Sequence, residues 1–112
     1  MLRVVRKITF HASGAEAATV TSDARNVSGL HEGLVYIDVT AISGSSPTLD
    51  VTVAGSDASD GNFALLATEA QITATGAQVL PITNFGEWIR VVSTIGGSTP
   101  SVTFKIIFVG KS

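Results

Sequence analysis

Alternation of apolar and polar residues, sustained through two long and similar stretches, constrains this chain more than any other feature. The first stretch is VYIDVTAISGSSPTLDVTVAGSD, residues 35–57, and the second is WIRVVSTIGGSTPSVTFKIIFVG, residues 88–110. In the first, Val35, Ile37, Val39 and Ala41 share one face while Tyr36, Asp38, Thr40 and Ile42 share the other. That period of two is the signature of an extended strand. Leu49, Val51 and Val53 then alternate with Thr48, Asp50 and Thr52, and Val102, Phe104, Ile106 and Phe108 form an apolar file in the second stretch. The wealth of Val and Thr favours strands over helices. Between the arms lie SGSSP and IGGSTP, small and flexible, with Pro47 placed where no ladder donor is needed. Each stretch therefore reads as a β-hairpin.

The two hairpins resemble each other in detail. Gly44, Ser45 and Pro47 recur as Gly97, Ser98 and Pro100, and Ile37 and Val39 recur as Ile89 and Val91, with a one-residue offset near the turn. Two such units, each apolar on one face, can stack those faces and bury what neither buries alone. The segments VVRKITF, EAATVTS, FALLAT, AQITAT and AQVLPI add short strands separated by Gly, Asp, Asn or Ser. DARNVSGLHEG, residues 23–33, lacks periodicity and reads as a loop. The expectation is an all-β protein, an antiparallel β-sandwich of Ig-like or jelly-roll type, with two pseudo-repeated hairpins and seven to nine strands. Residues 1–112 fit one domain, divided into an N-terminal strand or arm, 1–32, and a core, 33–112.

Composition narrows the classes of function. Only 14% of residues are charged, against roughly 25% in ordinary soluble domains. The formal net charge is -2, so self-repulsion is weak and association is easy. With no cysteine there is neither a disulfide nor a thiolate metal site. Arg3, Arg6 and Lys7 are too few for a nucleic-acid face. No apolar run reaches the length of a secretory signal core or a membrane-spanning helix, so neither nucleic acid nor membrane is expected as a partner.

Side chains with chemical capability are sparse. The two histidines, His11 and His31, stand in or beside loops or strand ends, and no G-x-S-x-G, H-E-x-x-H or phosphate-binding loop occurs. An enzyme would need one of them beside a carboxylate in a pocket, and the expectation is no catalysis and no cofactor. In GSDASDGNF, Asp57, Asp60 and Asn62 gather oxygen ligands of the kind calcium prefers, but not at EF-hand spacing. The simpler reading is a turn in which Gly61 takes positive φ. Trp88 and Arg90 share a face opposite Ile89 and Val91. Structurally, Arg90 would pair with Asp38 or Asp50 under Trp88; functionally, the two would anchor a glycan or a protein. Leu2, Val4, Val5, Ile8 and Phe10 are expected to hold the N-terminal segment in a sheet or against another subunit.

SGSSPTLDVTVAGSDASDGNFALLA, then QITATG, then GEWIRVVSTIGGSTPSVTF resembles small virion structural proteins of tailed bacteriophages, over about residues 33–110. The resemblance implies a sandwich that decorates the head, cements the capsid shell, or sits in the neck or tail. Within it Asp60, Gly61, Trp88, Arg90 and the two Gly-Ser-x-Pro turns would be framework positions. The expected function is thus a non-enzymatic decoration or cement protein of the virion, binding the major capsid protein in many copies and self-associating there. A neck or tail component, or a small carbohydrate-binding or adhesion sandwich using Tyr36, Trp88 or the 57–62 loop, is the alternative.

Overall fold

A computed structural model describes residues 4–112; Leu2 lies outside the described residues. The described chain is all-β, with strands β1 (Val5–Glu16), β2 (Val20–Thr21), β3 (Arg25–Asn26), β4 (Glu32–Ser56), β5 (Ala64–Thr68), β6 (Gly76–Thr83) and β7 (Trp88–Lys111). All pairings are antiparallel and belong to one open, seven-stranded sheet.

The two long stretches are not hairpins. Their arms do not fold back on themselves; β4 and β7 run alongside each other from Glu32–Lys111 at one end to Ser56–Trp88 at the other. Laid straight, a strand of 25 residues would span about 80 Å, yet the longest dimension of the molecule is 49 Å. The ribbon therefore has to bend, and it does so where sequence reasoning placed the turns. Residues 32–43 of β4 and 101–111 of β7, with β6 and β1 at their flanks, make the first layer. Residues 48–56 of β4 and 88–96 of β7, flanked by β5 on one side and by β2 and β3 on the other, make the second. The architecture is sandwich-like, as the alternation required, but the two layers share both of their central strands.

The repeated Gly-Ser-x-Pro motifs form the corner. Gly44 and Gly97 have φ of 113° and 111°, and Ser46 and Thr99 have 50° and 48°. Ser45 pairs with Ser98, and the crowding is reciprocal. A Cβ on Gly44 would stand 2.7 Å from the Thr99 carbonyl oxygen and 2.9 Å from Pro100 Cα, and one on Gly97 would stand 2.8 Å from the Ser46 carbonyl oxygen and 3.0 Å from Pro47 Cα. The likeness between the two stretches is thus a local pseudo-twofold relation about the Ser45–Ser98 pair. By ladder position it relates Ile37, paired with Ile106 in the first layer, to Val91, paired with Val53 in the second.

Alternation places the core as expected. Val35, Ile37, Val39, Leu49, Val51, Val53, Ile89, Val91, Val102, Phe104, Ile106 and Phe108 are buried in one cluster. Ala41 leaves it, because a register shift between Val39 and Ala41 reverses the phase and turns Ile42 inward instead. The layers meet where Phe10 and Ile106 of the first face Val20 and Val91 of the second. Phe10 packs edge-on to Phe108, with ring centroids 6.3 Å apart, so it and Ile8 tie β1 to the core while Val4 and Val5 stay exposed. Two local readings change. AQITAT contributes only an isolated Leu49–Ile72 bridge, since Ile72 alone of that segment is buried. Within 23–33, Arg25–Asn26 pairs with β7, and Val27 and Leu30 enter the core.

Candidate interaction surface

Among the described residues, the outward face of the first layer carries most of the exposed large apolar side chains. Alternation that sends Val35 and Ile37 inward sends Leu34 and Tyr36 outward, 37% and 40% exposed, and on neighbouring strands it turns Val79 and Val5 out, 46% and 65% exposed. Register fixes their neighbours. Leu34 stands between Pro81 and Val109, Tyr36 between Val79 and Ile107, and the apolar rows so formed lie side by side. Charge closes the patch at both ends, with Glu32 beside Lys111 in one terminal row and Asp38 beside Lys105 in the other. The Glu32 carboxylate lies 3.1 Å from Lys111 Nζ, both about half exposed; such a surface pair adds little stability. Two shallow grooves, about 380 and 330 Å³, run over this face, the first beside Leu34 and Pro81 and the second beside Tyr36 and Ile107.

The pseudo-twofold relation supplies an internal comparison. Positions in the second layer equivalent to Lys105, Ile107 and Val109 are Thr52, Ala54 and Ser56. On β4 these outward positions are small or polar, and in their rows stand Trp88, Arg90 and Val92 of β7 and Leu65 of β5, so the continuous apolar rows of the first layer are not copied in the second. Exposed apolar patches of this kind mark surfaces that meet something. Of the residues singled out from sequence, Tyr36, Asp38 and Val5 belong to this face, whereas Leu34, Val79, Pro81, Ile107 and Val109 were missed. Their signal was present: Leu34 to Ile37 and Ile106 to Val109 are apolar at consecutive positions, which a half-buried strand does not need.

Arg90 is placed differently from expectation. Among the described residues no carboxylate lies within ion-pair distance of it. Asp50 instead accepts hydrogen bonds from Gln71 Nε2 at 3.1 and 3.2 Å, and Asp38 sits in the other layer. The Arg90 guanidinium lies 4.3 Å from the centroid of the Phe63 ring, and its Nε is buried without a hydrogen-bond partner. A residue held by ring stacking and packing tolerates an apolar isostere. Arg90→Met is therefore expected to leave stability within about 0.5 kcal/mol of the parent in urea titration, whereas breaking a carboxylate pair would lower it clearly. Trp88, half-buried, pairs with Ser56 and Asn26 across the strands rather than covering an ion pair.

In the 57–62 loop Asp60 is exposed, and Gly61 does not have positive φ. Gly61 is needed for space, because a Cβ there would stand 2.6 Å from Ser56 Oγ. That hydroxyl accepts the Ala58 N–H at 3.2 Å, and the Gly61 N–H donates to the Ala58 carbonyl at 3.2 Å, so the segment is a turn built on buried Ser56. His11 stacks on Phe104 at 4.1 Å between centroids, with Nδ1 3.0 Å from the Phe104 carbonyl oxygen and Nε2 3.0 Å from the Glu16 carboxylate. Both oxygens are acceptors, so both contacts are hydrogen bonds together only on the doubly protonated ring. The crevice beside the ring has no room for a water-sized molecule. His31 is exposed, and its backbone N–H donates to the Lys111 carbonyl at 2.9 Å.

No protein-family model matches the chain, and no curated protein matches its sequence. Similarity is found among solved structures. The chain is similar to the SPBc2 prophage-derived protein YomS, with a TM-score of 0.61 at 17% identity over 100% of this chain and 96% of that one. It is also similar to part of a structure of infectious bursal disease virus, Gx strain, with a TM-score of 0.50 at 12% identity over 100% of this chain and 38% of that one. At such identities the likeness shows a shared fold.

Proposed function

We propose that this chain is a non-enzymatic structural protein of a bacteriophage virion, a decoration or cement protein that binds the head shell in many copies. The observation that carries this reading is the end-to-end similarity of fold to a protein derived from a prophage, covering nearly the whole of both chains. The similarity to part of a viral structure points the same way. The exposed apolar face supports a protein that works by association: low charge and a sheet face of Leu, Tyr, Val and Ile favour burial against neighbours. On a shell of repeated subunits, symmetry multiplies a modest contact into firm retention.

Immunogold labelling of particles from the source lysate, with antibody raised against the purified chain, tests the proposal. Label spread over the heads is the expected result. Label confined to one vertex or to the tail would replace decoration with a neck or tail role, and particles without label would overturn the virion reading and make glycan binding the next question.

A further inference from the structure

We infer that the outward face of the first layer is the interface of a homodimer whose twofold axis lies in the plane of that face, parallel to β4 and β7. The charge pattern selects both the partner and the axis. Four rows cross the two central strands: Glu32–Lys111, Leu34–Val109, Tyr36–Ile107 and Asp38–Lys105, the acid standing on β4 and the base on β7 in each charged row. A twofold axis running along the strands, between β4 and β7, exchanges the strands and keeps the rows. Glu32 of one copy then faces Lys111 of the other, Asp38 faces Lys105, Leu34 faces Val109 and Tyr36 faces Ile107. The alternative in-plane axis, running across the strands, keeps the strands and exchanges the rows. It would set Glu32 against Asp38 and Lys111 against Lys105, so that every charged encounter is between like signs. Isologous contacts demand a self-complementary patch, and this face is self-complementary about one axis only.

The remaining features of the face fit that arrangement. Face-to-face sheets cross at about 30°, which displaces the terminal rows by about 5 Å, within the reach of a lysine side chain. Exchange of the layer's two sides brings β1 over β6, where Lys7 would lie over Pro81 at the rim and keep its ammonium in water. Val5, the most exposed apolar residue of the face, is carried over Thr83 of the second copy. The four strands and seven residues from Glu32 to Asp38 cover about 450 Å² in plan, or about 900 Å² for two copies, close to the lower limit for a specific interface. A reversible dimer with a dissociation constant in the micromolar range is the expected outcome. The second layer's outer face has Thr52, Ala54 and Ser56 in place of Lys105, Ile107 and Val109, beside Val92, Arg90 and Trp88, and no acid–base row among the described residues closes it at either end.

Sedimentation velocity of the purified full chain across concentrations from about 1 to 100 µM tests the inference, with thermal melting by circular dichroism confirming that each variant is folded. The parent should pass from monomer to dimer over that range, and Leu34→Asp should remain monomeric throughout. Asp38→Lys should weaken the dimer about tenfold, because two attractive rim contacts become repulsive. The double variant Asp38→Lys/Lys105→Asp should restore the parent affinity. A parent that is monomeric at 100 µM, or a dimer undisturbed by Leu34→Asp, would overturn the interface. Tighter association of Asp38→Lys would overturn the axis, since the crossed arrangement would set the new lysine against Glu32. The inference does not rest on the virion reading: a dimer from a chain that labels no particle discards only that reading, and a monomeric chain found on heads discards only the dimer.

Discussion

Replacing Phe108 with alanine is expected to cost about 4–5 kcal/mol of stability, toward the upper end of the range for large-to-small core changes. The ring is fully buried and meets Phe10 and Phe85 edge-on, at centroid distances of 6.3 and 5.8 Å. It also lies over two paired glycines: a Cβ on Gly33 would come within 2.2 Å of the ring and one on Gly110 within 2.6 Å. Glycines have no side chain with which to close a cavity, so the space left by the ring stays open. Urea denaturation read by fluorescence of Trp88 gives the midpoint and slope. A loss below about 2 kcal/mol would mean that the surrounding residues collapse into the site. Phe108→Leu should recover about half of the loss by refilling much of the volume.

Alanine at either corner glycine is expected to cost about 2–4 kcal/mol, from a left-handed φ that side chains resist together with a Cβ forced against backbone. The pseudo-twofold relation sharpens this. Gly44→Ala and Gly97→Ala should cost nearly the same, since their φ values differ by only 2° (113° and 111°) and each would press on the other's turn. The double variant should cost less than the sum, because one opening of the corner relieves both clashes. Equal single losses with strict additivity would show that the two turns yield independently; unequal losses would show that only one of them sets the bend.

Much of this architecture was legible in local pattern. Val35, Ile37 and Val39, then Leu49, Val51 and Val53, then the Val102 to Phe108 file gave the inward faces directly, since a period of two has one meaning in an extended chain. The corner was misread for a physical reason. A hairpin reversal and a sandwich corner both need small residues at positive φ, so SGSSP and IGGSTP suit either. What separates them is which strand lies alongside, and the partners of β4 lie in β7, far along the chain. The interaction face was hidden likewise: Tyr36 and Asp38 were read as sharing the face opposite Val35 and Ile37, but Val79, Pro81, Ile107 and Val109 join them only through register between distant strands. Arg90 was assigned a carboxylate because a buried cation usually needs one, and Phe63, in a segment with weak periodicity, gave no local sign that its ring would serve instead.

The shared ribbon also dictates an order of assembly. Strands that pass through both layers leave either sheet's apolar face uncovered until the other is in place, so a single finished sheet is disfavoured at equilibrium and unfolding should be all-or-none. The Ser56–Trp88 end joins residues separated by the shortest stretch of chain in the β4–β7 ladder, whereas Glu32 and Lys111 are separated by the longest. Loop-closure entropy is smaller for the shorter loop, so the ladder should begin at Ser56–Trp88, pass the corner, and close last at Glu32–Lys111. With nearly every pairing non-local, the chain belongs among proteins that fold in milliseconds to seconds. The apolar face of the first layer, laid down at the late end of that sequence, is then the last part of the surface to acquire its final form.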